Sequence, residues 1–434
     1  MFKTVLAIIF SFFWFSAYCQ IGQVQNPTYN NMQPIQMGSN AQNINNQQNR
    51  NHNVAIQNSN NYQRQKELKQ LQRDINEVNP KHLKQNIPEN EKVFYEAFSV
   101  LNNMSNNFLL AEAIYIVENA YYNKQYSKDD FYSSIKVRAE LCKQILKSEH
   151  LPTNNSLTIN YAIQKLYQQN NKYYNSLTGR TTTIPRLTYD FNDFMGDTSY
   201  AQMFVTKLFS SGKGQCHSLP FLYLLLAEQL GAKAYLSNAP EHSFIRFPDT
   251  AGRLYNFETT SGVLVSDKFM MQSGFINVTA IKNKIYLDTL SKQQLLATCL
   301  VDLANEYVFK FGYNSFVEEV TDRILQLYPN CIQGHMLRAN IANVKLEYYA
   351  KKEGAHKEED LKKNPHLYAL YQARQKQYDI IDVLGYQDMP KEAYKDWLKS
   401  VESEKNIQQA QEMKQQLKYQ IQYSKVKVIT KNKK

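Results

Sequence analysis

Apolar residues return every three or four positions along Glu91 to Met104, Leu109 to Asn123 and Lys128 to Lys147, the spacing of one helical face. Ser156 to Tyr174 repeats the pattern, and Tyr200 to Phe209 reads as a shorter helix that delivers the chain to Gly212. Ser127 ahead of Lys128-Asp129-Asp130 is an N-cap with acids in the first turn. Leu219 to Leu230 is a continuous apolar run, closed by Gly231 as a C-cap. The pattern then changes. Lys233 to Ser237, Ser243 to Phe247 and Arg253 to Thr259 read as strands, with Pro248 to Gly252 as the turn that makes the last two a hairpin. Helical spacing returns in Lys292 to Phe311, Phe316 to Tyr328 and Gly334 to Tyr349. Residues 364 to 424 carry further helices with Lys, Gln and Glu on most faces, expected to form an extension or mobile tail. The predicted fold class is α+β, a helix and antiparallel strands embedded between helical regions.

The two ends behave differently from this body. Lys3 precedes Val5 to Phe15, an apolar stretch of about a dozen residues that is short for a membrane span. Ala17-Tyr18-Cys19 follows, with small residues where a signal peptidase needs them, so cleavage before Gln20 and export to the periplasm or medium are expected; an uncleaved anchor is the alternative. Tyr18 is too bulky to precede a lipidated cysteine. Residues 20 to 64 are Asn/Gln-rich and cannot bury enough apolar surface to offset chain entropy, which predicts a disordered linker. The expected plan is a signal peptide at 1–19, the linker at 20–64, a helical region at 66–205 packing on the core, a core at 206–290, helices at 291–350, and a polar helical extension with a basic tail at 351–434.

A chain of 434 residues, 43% hydrophobic, has room for two or three domains and a sizeable core. The formal charge is +11. Part of that excess lies in Lys425 to Lys434, read as a solvated tail. Zinc-ligand spacing, a phosphate loop and RNA-binding signatures are all missing from the sequence, so no nucleic-acid partner, metal or cofactor is expected. If Cys19 leaves with the signal, four of the five cysteines remain. Cys142, Cys299 and Cys331 lie in helical patterns and read as small buried hydrophobes. Pairing of Cys299 with Cys331 stays open, since export permits disulfides.

Cys216 is placed otherwise. It follows Gly212-Lys213-Gly214-Gln215 and opens the apolar run. Unpaired N–H groups and the partial positive charge of a helix N-terminus favour a thiolate there. A cysteine nucleophile needs a base, and the base needs an orienting group. His242 begins the first arm of the hairpin. With a turn of Pro248 to Gly252, Phe247 faces Arg253 and His242 faces Glu258, with Asn256 diagonal on the same face. Glu258 is the candidate orienter and Asn256 the reserve. For an oxyanion, the Cys216 backbone N–H is the natural donor and the Gln215 side chain a second. Each residue also has a plain reading: a structural cysteine, a strand-edge histidine, a surface acid, a solvent-facing turn glutamine.

Gly214-Gln215-Cys216, Leu230-Gly231, His242 and Glu258-Thr259-Thr260 together resemble the transglutaminase-like superfamily, whose papain-type core is Gly-x-Cys before an apolar helix, then His opening a strand, then an Asp-Pro-Thr-like strand end. The resemblance spans residues 212 to 262. It implies a papain-like core with Cys216 as nucleophile, His242 as general base and acid, and Glu258 as orienter. Glu stands where the family has Asp, and Ser243-Phe244 stands where Trp is common. The turn at Leu327-Tyr328-Pro329-Asn330 with Arg338-Ala339 beyond it resembles one tetratricopeptide unit. The function implied is a thiol-dependent amide hydrolase or acyl transferase acting on a protein or peptide through a thioacyl intermediate. The alternative is a non-catalytic binding or scaffold protein that retains this fold. In both readings the C-terminal helices offer a surface for a protein partner.

Overall fold

The computed structural model of the chain describes residues 88–431, apart from 195, 275, 390 and 405–407. The expected signal peptide and Asn/Gln-rich linker lie outside the described residues. Among the described residues, one compact unit comprises 88–341 and 380–431, and a second comprises 342–379.

The first unit begins with four helices: α1 Glu89–Asn102, α2 Leu110–Tyr121, α3 Lys128–Ser148 and α4 Ser156–Gln168. Ser127 caps α3 by accepting from the Asp130 N–H, and Asn155 caps α4 by accepting from Leu157 and Thr158. The single helix expected over Ser156 to Tyr174 is corrected. α4 ends at Gln168, and β1 Asn171–Asn175 pairs antiparallel with β2 Arg180–Ile184. The Asn171 side chain donates to the carbonyls of Lys165 at 3.1 Å and Gln169 at 2.8 Å. The Lys165 carbonyl also takes the Gln169 N–H, while the Gln169 carbonyl is one a longer helix would have used for its own ladder, so the side chain closes the helix there.

Next come β3 Thr188–Tyr189, a 3₁₀ turn Tyr200–Met203, α5 Val205–Ser211 and β4 Lys213–Gly214, which pairs parallel with β3. α6 Ser218–Leu230 is buried from Ser218 to Ala227. It packs against α2, α3, α4 and α5 and also against the sheet that follows. A helix apolar on all faces has to be surrounded in this way, and each fully buried Leu or Phe contributes about 1.5–3 kcal/mol.

That sheet is antiparallel in the order β5 Tyr235–Ala239, β6 His242–Pro248, β7 Leu254–Glu258, β8 Val263–Val265. The β6–β7 register differs from expectation by two residues. Phe247 faces Tyr255 and Pro248 faces Leu254. The turn is Asp249 to Arg253, because the Asp249 carboxylate organises it: Oδ1 accepts from Ala251 and Arg253 N–H, and Oδ2 from the Arg253 guanidinium.

α7 Asp267–Ser273, α8 Val278–Lys282, α9 Lys292–Phe311 and α10 Ser315–Leu327 follow, and α11 Ile332–Lys352 pairs with α10 across Tyr328-Pro329-Asn330. A Cβ on Gly334 would come within 2.8 Å of Ile324, so this helix pair depends on glycine at its contact. α11 leads into the second unit, which holds α12 Glu358–Lys363 and most of α13 Pro365–Leu384. There Tyr378 donates to Asn343 at 2.8 Å, and His366 bonds Glu353 at 2.9 Å.

α14 Lys391–Glu404 and α15 Gln408–Lys431 return to the first unit and pack on β8. The expectation of a mobile tail is corrected for α14: Tyr394, Trp397 and Leu398 are part of the main hydrophobic core. No helix among the described residues is long and apolar enough to cross a membrane.

Candidate active site

The lead-in to Cys216 is set by two glycines with different jobs. Gly212 ends α5 at φ +67°, the left-handed conformation that glycine adopts without strain. Gly214 is pressed close to its surroundings: a Cβ there would stand 2.6 Å from Ser218 Oγ. The Ser218 hydroxyl in turn accepts the Gln215 N–H at 3.0 Å. Cys216 emerges at the mouth of α6 and is 1% exposed. Its sulfur lies 3.8 Å from the carbonyl oxygen of Glu241.

Glu241 belongs to the two-residue turn Pro240-Glu241 that joins Ala239 to its strand partner His242. It sits at φ +54°, a conformation costing a non-glycine residue on the order of 1–3 kcal/mol. The turn points the Glu241 carbonyl at Cys216 and makes His242 the first residue of β6. The Tyr386 hydroxyl holds the Glu241 carboxylate at 3.0 Å.

His242 and Glu258 meet on the same face of the sheet. They are diagonal rather than directly opposed, as the two-residue shift in register requires. That shift preserves the face because side chains alternate with period two. His242 Nε2 is 2.7 Å from Glu258 Oε2, and both side chains are fully buried. The other carboxylate oxygen accepts from the Thr260 N–H at 3.0 Å and from its hydroxyl at 2.9 Å. The longer Glu side chain is therefore clamped by the strand end that follows it.

Tyr394 and Trp397 complete this site and were not foreseen from the sequence. The Tyr394 hydroxyl is 3.3 Å from His242 Nδ1, and the Trp397 ring meets the imidazole edge to face at 4.5 Å. Burial holds the Tyr394 phenol well above its usual range. A tautomer with its hydrogen on Nε2 donates to Glu258 and turns the Nδ1 lone pair to the Tyr394 hydroxyl. Aromatic residues three apart in an otherwise polar helix were the available signal, and nothing in the sequence said what they face.

Asn256, the reserve orienter, is turned to other work. It faces Arg246 across the hairpin and donates to Asp267 at 2.7 Å, while Arg246 reaches the same carboxylate with 3.1 Å contacts. Gln215 is fully buried, not solvent-facing, and donates to the Asp190 carbonyl at 2.9 Å. Cys142, Cys299 and Cys331 are buried free thiols, so Cys299 and Cys331 are not joined. Burial pushes all three above the ordinary thiol range, which makes them poor nucleophiles. Cys216 is disulfide-bonded, so its nucleophilic form is the reduced one.

A second buried polar group lies under α9. Glu118 accepts the Val205 and Thr206 N–H groups at 2.7 and 2.9 Å. Burial nevertheless pushes its carboxyl up to about 7. Glu306, fully buried beside it, is raised well above the usual range by burial and by the Asp302 and Glu118 charges, with Lys310 opposing. His217 Nε2 meets Asp302 at 3.2 Å. Among the described residues no cluster of three or more His, Cys, Asp or Glu side chains is arranged to hold a metal ion.

No family model and no curated protein matches the chain. Among solved structures it is similar to menin, in a crystal structure that "reveals the binding site for Mixed Lineage Leukemia (MLL) protein". The match has 12% identity over 73% of this chain and 89% of that one, with a TM-score of 0.32. A likeness at that level carries no argument about this site.

Proposed function

We propose that the chain is a transglutaminase-like thiol enzyme that cleaves or transfers an amide acyl group of a protein or peptide substrate. What supports the reading is the buried His242–Glu258 pair at 2.7 Å, set one residue beyond the carbonyl that touches the Cys216 sulfur. In this reading the reduced Cys216 gives its proton to His242 Nδ1, and the sulfur bonds to the substrate carbonyl carbon. The Cys216 backbone N–H at the helix mouth faces the developing oxyanion. Glu258 holds the imidazolium that forms. His242 then passes the proton to the leaving amine as the C–N bond breaks. Water, or a second amine, loses a proton to His242 and attacks the thioester, restoring the thiol and releasing an acid or a new amide. With the export signal expected at the N-terminus, the substrate is one met outside the cytoplasm. A second reading, a scaffold that retains this core without turnover, is favoured by the complete burial of the His242 and Glu258 side chains.

The test is the pH dependence of Cys216 alkylation by iodoacetamide after reduction, read by peptide mass. A cysteine paired with His242 stays reactive well below the ordinary thiol midpoint of about 8.5, and His242→Ala moves the midpoint up to that value. Superimposable profiles for the two proteins would remove the Cys–His pair and leave the scaffold reading.

A further inference from the structure

The atom that the proposed chemistry uses as a base is the atom Tyr394 holds. His242 has two ring bonds of different length, 2.7 Å to Glu258 and 3.3 Å to Tyr394. The shorter one comes from the sheet that carries His242, and the longer one from a separate helix. α14 brings Tyr394 and Trp397 in together, and its apolar face is Ala393, Tyr394, Trp397 and Leu398. Its other side is polar: Asp396 and Lys399 pair at 2.9 Å with side chains 77% and 75% exposed. Phe194, from the loop ahead of α5, lies nearly parallel to the Tyr394 ring at 6.2 Å. With the helix docked, the His242 ring is fully buried, its Nδ1 side covered by Tyr394 and its edge by Trp397.

We propose that α14 is a displaceable cap on this site. Docked, it occupies His242 Nδ1 through Tyr394 and closes the site with Trp397. Released, it frees His242 Nδ1 to take the proton of the reduced Cys216. The idea rests on reading Cys216, His242 and Glu258 as the reacting set. A helix suits this role because its backbone hydrogen bonds are internal, so it can leave without opening a strand ladder. Release breaks the Tyr394 bond to His242 and the packing of α14 on β8. Substrate then competes with the cap, and its apparent affinity falls by the fraction of molecules that are open.

The experiment uses the full chain, reduced and then alkylated with iodoacetamide at one pH, with each cysteine followed by peptide mass. Trp397→Ala opens the cap, and Tyr394→Phe removes only the hydroxyl, which keeps a readout if the alanine variant does not fold. Far-UV circular dichroism and melting establish that each variant is folded. We expect Cys216 to label at least about tenfold faster in Trp397→Ala and several-fold faster in Tyr394→Phe. Cys142, Cys299 and Cys331 should stay unlabelled. Wild-type rates at Cys216 in the folded variants would overturn the cap, and so would equal acceleration at the three core thiols, which would mean general loosening. Acceleration whose pH midpoint ignores an added His242→Ala would keep α14 as the cover and remove the Cys–His reading, so the two ideas fail separately.

Discussion

Replacing Gly214 with alanine should disturb the turn that presents Cys216, at a cost that can be worked out. The new Cβ would stand 2.6 Å from Ser218 Oγ, 3.1 Å from Leu208 Cδ1 and 3.3 Å from Leu219 Cγ. Ser218 is fully buried, and its hydroxyl is tied to the Gln215 N–H at 3.0 Å. Either the clash stays, an overpacking cost of about 1–3 kcal/mol, or Ser218 turns away and leaves a buried N–H without its partner, at about 1–3 kcal/mol. We expect a loss of about 2–3 kcal/mol in urea unfolding followed by far-UV circular dichroism. Gly212→Ala is the comparison. At φ +67° with nothing within 4 Å, it meets only the left-handed backbone penalty of about 1–2 kcal/mol. The mechanism also predicts coupling. Ser218→Ala should be costly alone and nearly free in the Gly214→Ala background, an interaction energy of about 1–2 kcal/mol. If Gly214→Ala costs no more than Gly212→Ala, or if Ser218→Ala costs the same in both backgrounds, the close approach at residue 214 is not what shapes this turn.

Three further expectations follow from the same structure. Glu118 has its folded-state carboxyl raised from 4.5 to about 7, so the stability it contributes is full below about pH 4.5 and is lost as pH rises through about 7, on the order of 3 kcal/mol in all. Glu306 adds in the same direction, so the urea midpoint should fall between pH 5 and pH 8 and Glu306→Gln should flatten that fall; a midpoint that rises over this range contradicts the argument. Glu258→Gln exchanges a charge-assisted bond to His242 for a neutral one, so stability should drop by about 1–2 kcal/mol and the pH midpoint of Cys216 alkylation should move upward. Wild-type values for both would deny Glu258 its role. Cys142, Cys299 and Cys331 are free, so all three should alkylate in denaturant before any reductant is added; protection of Cys299 and Cys331 together would mean they are joined.

The helix from Lys292 to Phe311 begins and ends where its apolar spacing says it should, because it is long, periodic and capped by Ser291. The helix expected through Tyr174 stops early because one side chain, Asn171, takes backbone carbonyls at its end, and a periodicity count does not see that competition. β8, three residues long, gave no alternation to read; it exists because β7 needed a neighbour. The β6–β7 turn was placed one residue too early, since the Asp249 carboxylate, not Pro248, organises it. The error moved the register by two and left His242 and Glu258 on one face.

The sequence by itself determined the helix after Cys216, the strand that His242 opens, and the common face of His242 and Glu258. These depend on local periodicity, turn residues and the alternation of a strand, all of which act over a few positions. Tertiary structure decided the rest. It turned Asn256 toward Asp267 and Gln215 toward Asp190, it tied Glu258 to Thr260, and it set Tyr394 on the imidazole from 152 residues away in the chain. A contact at that separation depends on how whole elements pack, and an amphipathic pattern in α14 states that a face will be buried without stating against what.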